Sequence, residues 1–219
     1  MLAHWPLPDG REEYAVRFNR GRKVRLLVLP ALFDEANKLR HFTIETMRLL
    51  DTGGVDCVLP DLPGCNESLS PLAMQDLETW REAAATAARH FDVTHVLSLR
   101  GGALAAPDGV PGWAYAPVTG KSLLSTQLRA RVLAAREAGQ EENRESLLAA
   151  GLAKGLVLAG HELSHGMIAQ LHAADPTPWL TAIPQSQVGG PGLWLRAEPD
   201  TDTAQAEALA DIILSEIGA

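Results

Sequence analysis

Between Lys23 and Leu62 the chain spells out a complete βαβ unit, and that unit fixes the class of fold. "KVRLLVLP" (23–30) is a short apolar run closed by proline, and "VDCVLPDL" (55–62) is a second. The stretch between them, "DEANKLRHFTIETMRLLDTGG", has helical composition and ends on Gly53 and Gly54, residues suited to a helix C-cap. Two strands joined through a helix run parallel in one sheet. The alternation then continues. "LAMQDLETWREAAATAARHF" (72–91) reads as a helix, and "VTHVLSL" (93–99) as a strand whose unbroken hydrophobicity suits a sheet covered on both faces. "GWAYAP" (112–117), "WLTAIP" (179–184) and "GLWLRAE" (192–198) read as the fourth, fifth and sixth strands, with a closing helix over "AQAEALADIILSEIG". The expectation is an α/β fold with a mostly parallel, doubly wound sheet.

Residues 119–175 break this rhythm, being helical in composition with no strand until "LVLAG" (156–160). Ligands of open parallel sheets sit beyond the carboxyl ends of the strands, so a short helical cap insertion leaving such an end is placed over the crevice. Simple padding of the surface is the alternative. A chain of 219 residues suits a single α/β domain, 1–219, with 119–175 as the cap.

Charge and composition exclude several functions. A net charge of -8 speaks against affinity for nucleic acid or anionic membrane, either of which calls for a basic face. No apolar stretch approaches the roughly 20 residues that cross a bilayer, and "MLAHWPLPDGREEYAV" lacks signal-peptide order, so a cytoplasmic location is expected. Cys57 and Cys65 make neither a disulfide framework nor a zinc set and are expected as free thiols. "HELSH" spaces His161 and His165 as in a zincin, but the preceding "LAG" reads as strand and a third ligand is missing. "GGPG" (189–192) and "RGG" (100–102) lack the spacing of phosphate loops, so no metal, nucleotide or other cofactor is expected.

The most informative stretch is "VLSLRGGALAA" (96–106), a strand that stops at small residues and restarts as a helix-forming run. This is the outline of a nucleophile elbow, small-x-nucleophile-x-small, filled by Ser98, Leu99, Arg100, Gly101 and Gly102. Arginine occupies the nucleophile position, and arginine cannot attack a carbonyl.

Several ordered stretches resemble the second of the two hydrolase-like families associated with the exosortase A system of exopolysaccharide-producing bacteria. "LPALFDEANKLR" is similar to that family's proline-phenylalanine-acidic-asparagine-lysine-arginine segment, "LPDLPGCNES" to its aspartate-leucine-x-glycine-cysteine turn, and "SLRGGALAA" to its elbow, where arginine already replaces serine. "WAYAPVTGKSLLSTQLRARV" and "LAGHELS" resemble two further family segments, and together the blocks span about residues 29 to 165. Ala31, Leu32, Asn66 and His161 depart from the family pattern. The resemblance implies an α/β-hydrolase fold, an association with extracellular polysaccharide and sorting, and no established substrate. The word hydrolase in the family's name rests on fold analogy.

Weighed residue by residue, a serine triad is missing at two positions. Moving the nucleophile to Ser98 would put Val96 and Arg100 where the strained turn demands small residues. No histidine follows Trp194 to act as the base. Cys65 is the remaining nucleophile candidate, with Arg100 as an activating neighbour and His161 or His165 as base, against the plainer reading of a tolerated turn cysteine. Asp61 is read as a hydrogen-bond acceptor for the "PGCNES" turn. The amides of Gly101 and of Ala31 or Leu32 are the expected anion-binding pair at the head of the elbow helix. Arg100 then has two readings: a fork for a bound carboxylate, phosphate or sulfate, or an internal ion pair with Glu35, Glu67 or Glu162. Lys38 and Lys121, near strand ends, are the favoured additional cations, ahead of Arg40 and Arg129. The resulting expectation is a pseudohydrolase whose pocket binds a small anionic ligand or supports a partner protein. The alternative is a hydrolase or acyltransferase acting on an ester or thioester through Cys65 or water.

Overall fold

The computed structural model describes residues 1–218. Nine strands run through it: β1 (Leu2–Pro6), β2 (Glu12–Phe18), β3 (Arg25–Leu29), β4 (Asp56–Pro60), β5 (His95–Leu99), β6 (Gly112–Tyr115), β7 (Leu156–Leu158), β8 (His161–Leu163) and β9 (Leu180–Ile183). The helices are α1 (Asp34–Thr52), α2 (Leu77–His90), α3 (Gly120–Glu137), α4 (Arg144–Lys154), α5 (His165–Ala173), α6 (Gln185–Val188) and α7 (Thr203–Ile217). The main sheet has seven strands in the order β1-β2-β4-β3-β5-β6-β9. From β4 to β9 every pairing is parallel, while β1 and β2 add antiparallel pairings at one edge. No described helix is long and apolar enough to cross a membrane.

The continuous hydrophobicity of the central strands is explained by two cores. Alternate residues of β3 divide between the faces: Leu26 and Val28 pack with α1 and α7, while Leu27 and Leu29 pack with α2 and with Trp5 of β1. A third apolar cluster lies at the carboxyl ends of the strands. Leu32, Phe33, Leu62 and Trp80 meet Leu123, Leu124 and Leu128 of α3 and Met167, Ile168 and Leu171 of α5. Residues 119–175 thus fold as three helices and the β7–β8 hairpin over that end of the sheet. Side chains of Thr119, Asn143 and Ser164 accept from first-turn amides of α3, α4 and α5, so each cap helix has a start written in its sequence.

Three departures from the sequence reading stand out. The β1–β2 hairpin is absent from the sequence reading: β1 has only five residues, and Pro6 and Pro8 mask its periodicity. The run at 192–198 is a 3-10 turn (Leu193–Leu195) rather than a sixth strand, because it follows Gly189, Gly190 and Pro191 and does not alternate: Leu193 is buried while Leu195 is exposed. "LVLAG" does form a strand, but in the cap hairpin and not in the main sheet.

Candidate functional site

The elbow lies where the sequence puts it, at the carboxyl end of β5. Arg100 sits at its tip with φ 52°, the left-handed region that non-glycine residues rarely occupy. Phe33, after β3, and Ala116, after β6, also have positive φ, 59° and 44°, so strained backbone gathers at three adjacent strand ends. Behind the tip a five-residue 3-10 helix, Arg100–Leu104, replaces the expected α-helix, and Pro107 soon follows. The helix dipole invoked for anion binding is correspondingly small.

Arg100 points inward, and each of its three guanidinium nitrogens donates to a protein acceptor. Its Nε and Nη2 donate to the two carboxylate oxygens of Glu35 at 3.0 and 3.1 Å, and Nη1 donates to the Ala116 carbonyl at 2.8 Å. Its Cζ lies 3.9 Å from the ring centroid of Trp194. The Arg100 and Glu35 side chains are only 13% and 9% exposed, so this is a buried, bidentate pair. Glu35 can reach it because it sits in the first turn of α1, directly after β3. Lys38, one turn on, lies 3.4 Å from Asp34 and donates to the Trp194 carbonyl at 3.4 Å, which ties the strand-end turn over the guanidinium. Glu67 and Glu162, the other two carboxylates considered, are exposed elsewhere, in the 61–70 turn and on β8.

The open space lies beside this pair rather than at it. A pocket of about 240 Å³ is lined by Leu32, Phe33, Asn37, Leu62, Cys65, Leu72 and His161 among others. Leu32, which lines it, packs against Gly101 of the elbow: a Cβ built on Gly101 would lie 3.1 Å from Leu32 Cγ. Among the described residues the Leu32 amide donates to no protein acceptor. A buried amide of this kind calls for an oxygen partner. Lys121 is not part of the pocket; it is exposed on the first turn of α3 and lines a different groove.

Cys65 and His161 share the pocket, yet their electrostatics oppose thiolate chemistry. Burial, reinforced by the nearby Asp61 and Glu13 carboxylates, pushes the Cys65 thiol up to about 12. Arg100 is occupied by Glu35 and gives no help. Burial also lowers the His161 imidazole below its ordinary range, Asp34 opposing in part, and its ring packs 5.6 Å from that of Phe33. Asp61 is raised by burial and accepts from Asn66 Nδ2 at 2.8 Å, the turn-bracing role read from the sequence. Native-state alkylation of Cys65 by iodoacetamide should therefore rise with pH without levelling until near pH 12. A plateau below pH 8 would contradict this.

Glu13 is a site-supporting residue that the sequence did not announce. Only 2% exposed, it accepts from Ser68 Oγ at 2.7 Å and Ser70 Oγ at 3.2 Å, while Ser68 Oγ also accepts from the Gly64 amide at 2.8 Å. It fixes the turn that carries Cys65 and Asn66. The available signal was the "EEYAVRF" alternation, which places Glu13 on the same inward face as Ala15.

No protein-family model and no curated protein matches the chain. Among solved structures it is similar to α/β hydrolase domain-containing protein 10 from mouse, with a TM-score of 0.64 and 14% identity over 100% of this chain and 98% of that one. An esterase, EaEST, from Exiguobacterium antarcticum superposes at a TM-score of 0.48 and 16% identity over 79% and 73% of the two chains. The α/β hydrolase GrgF from Penicillium sp. sh18 does so at 0.45 and 15%, over 65% of this chain and 56% of its own length. At such identities the likeness carries the architecture alone. This chain has the α/β-hydrolase fold.

Proposed function

We infer that the chain is a pseudohydrolase: a hydrolase-fold protein that binds a small ligand in the Leu32–Cys65–His161 pocket and does not turn it over through a serine or cysteine. The observation that carries this reading is the bidentate Arg100–Glu35 pair, which fills the nucleophile position with a group that is both non-nucleophilic and already neutralised. The ligand's recognition element is one carbonyl or carboxylate oxygen accepting from the Leu32 amide, with its body against Phe33, Leu62 and Leu72. Arg100 supports that pocket from behind instead of gripping the ligand. The exopolysaccharide and exosortase context implied by the sequence resemblance is the setting in which such a ligand would be sought, and a cytoplasmic location belongs to the same proposal. A small anionic molecule remains the favoured ligand and a protein partner the second.

Hydrolase or acyltransferase action through Cys65 is the competing reading, favoured by its sharing a pocket with His161. The high thiol pKa weighs against it. The expected result is no hydrolysis of p-nitrophenyl acetate or butyrate above buffer, no labelling by fluorophosphonate probes, and no change in either when Cys65→Ala is introduced. Stoichiometric labelling of one serine, or turnover lost in Cys65→Ala, overturns the reading.

A further inference from the structure

Next to the pocket between Leu32 and His161 the chain displays exposed apolar side chains on a pinned turn. Burial grades across the pocket, from Leu32 and Leu62 at 2% and 1% exposed to the exposed Asn37 and Asn66, with Leu72 half-buried. The Leu32 amide is therefore at the deep end, and the mouth has a polar side at the two asparagines and an apolar side at Leu72. Met74 and Leu69, two residues after and three before, lie within about 7 and about 11 Å of Leu72 by chain reach alone. They are 77% and 97% exposed. Ser68 and Ser70, on either side of Leu69, donate to the buried Glu13 carboxylate at 2.7 and 3.2 Å. Gln75, beside Met74, donates to the Pro71 carbonyl at 3.0 Å, and its own carbonyl accepts from Ser164 of the cap at 2.8 Å. Both apolar side chains are thus held out in water by an ordered backbone, a shelf that a ligand need not pay to organise.

We propose that the ligand of this pocket is a straight-chain acyl group of about ten carbons or more, with its oxygen at the Leu32 amide, its first carbons against Phe33 and Leu62, and the rest leaving over Leu72 onto Met74 and Leu69. This rests on the binding role inferred above and adds the class of ligand. At about 240 Å³ the pocket is smaller than the roughly 300–1,000 Å³ of sites that enclose a whole drug-sized molecule, so a long ligand must leave it. A chain leaves by the side where water is displaced from leucine and methionine rather than from carboxamides. A fully buried methylene raises affinity about fourfold, and one laid on a half-open shelf about twofold. Among the described residues no charged side chain lines the pocket, so the head that fits is an acyl oxygen whether the group is a free acid or a neutral ester or amide.

The test is isothermal titration of the full chain with sodium hexanoate, sodium decanoate, decanamide and decyltrimethylammonium, each below its micellar concentration. Decanoate is expected to saturate one site per chain at least tenfold tighter than hexanoate, from four further methylenes at about twofold each. Decyltrimethylammonium has the chain but no acceptor oxygen and should bind at least tenfold more weakly than decanoate or decanamide, and the tighter of those two tells a free acid from a neutral acyl group. Leu69→Ser/Met74→Ser alters exposed side chains only, should melt like the parent, and should bring the decanoate-to-hexanoate ratio below about threefold. Asn37→Trp, at an exposed position of the mouth, should weaken both acids at least tenfold. Equal affinity for the two acids, decyltrimethylammonium binding as tightly as decanoate, or a chain-length gain kept in the double variant overturns the proposal. If hexanoate still binds and Asn37→Trp removes it, the pocket keeps its binding role and only the acyl-chain assignment falls. Decanoate binding indifferent to Asn37→Trp, or no saturable binding of decanoate or decanamide, overturns the proposal as well.

Discussion

Arg100→Met is expected to destabilise the protein by about 3–5 kcal/mol, because it strands the Glu35 carboxylate in a place where water cannot replace the guanidinium. Methionine keeps the side-chain length and the Cβ, so the strain of the left-handed elbow is present in both proteins and cancels. What is lost is the two bonds to Glu35, the bond to the Ala116 carbonyl and the face-on contact with Trp194. For a domain of this size the drop corresponds to a melting temperature lower by roughly 10 °C. Glu35→Gln alone should also destabilise, since the guanidinium is then the uncompensated charge. The double variant Arg100→Met/Glu35→Gln should recover much of the loss, because no buried charge remains unpaired. If Arg100→Met melts within about 1 kcal/mol of the parent, the pair is not structural and the ligand-gripping role of Arg100 returns.

The pair also shows what could be read from sequence and what could not. The elbow was legible because its constraint is local: a strand, a tip and small flanking residues occupy consecutive positions, and steric demand shows in the sequence as Gly101 and Gly102. That Arg100 needs a counter-charge follows from burial alone. Which carboxylate supplies it does not, because Glu35, Glu67 and Glu162 all fall in segments that the sequence puts near strand ends, and only the α1 crossover geometry brings Glu35 alongside. Trp194 illustrates the other failure. Its segment was expected to be a strand on hydrophobicity, yet its apolar residues serve two separate contacts, Leu193 in the core and Trp194 over Arg100 and against Tyr115. Tyr115 is itself held by donation to Gln185, whose amide nitrogen in turn donates to the Gly189 carbonyl at 2.8 Å. Such a network joins residues far apart in the chain, and no periodicity records it. The strands β3, β4, β5 and β6, by contrast, were legible because burial on both faces leaves a nearly unbroken apolar run.

Gly102 provides the most direct check that the turn at 98–102 is the elbow. A Cβ built on Gly102 would lie 2.4 Å from the Pro30 carbonyl oxygen and 2.8 Å from that of Leu29. Both are backbone atoms at the end of β3, in a ladder where Leu29 is paired with Ser98 of β5. They cannot retreat without separating the two central strands at the carboxyl end where the pocket forms. Gly102→Ala is therefore expected to cost about 3 kcal/mol or more, at the upper end of overpacking effects. At Gly101 the same added methyl meets Leu32 Cγ at 3.1 Å and Leu123 Cδ2 at 3.3 Å, the ends of flexible side chains that can give by a few tenths of an ångström. Gly101→Ala should cost no more than about 1 kcal/mol by the same reasoning. Neither residue has positive φ, so the contrast reports space alone and not backbone preference. Urea unfolding of the two variants reads both terms: the midpoint of Gly102→Ala should fall far below that of Gly101→Ala. Equal, small losses in both would mean that β3 and the turn do not approach this closely, and the placement of the elbow against the Pro30–Phe33 loop would fail with them.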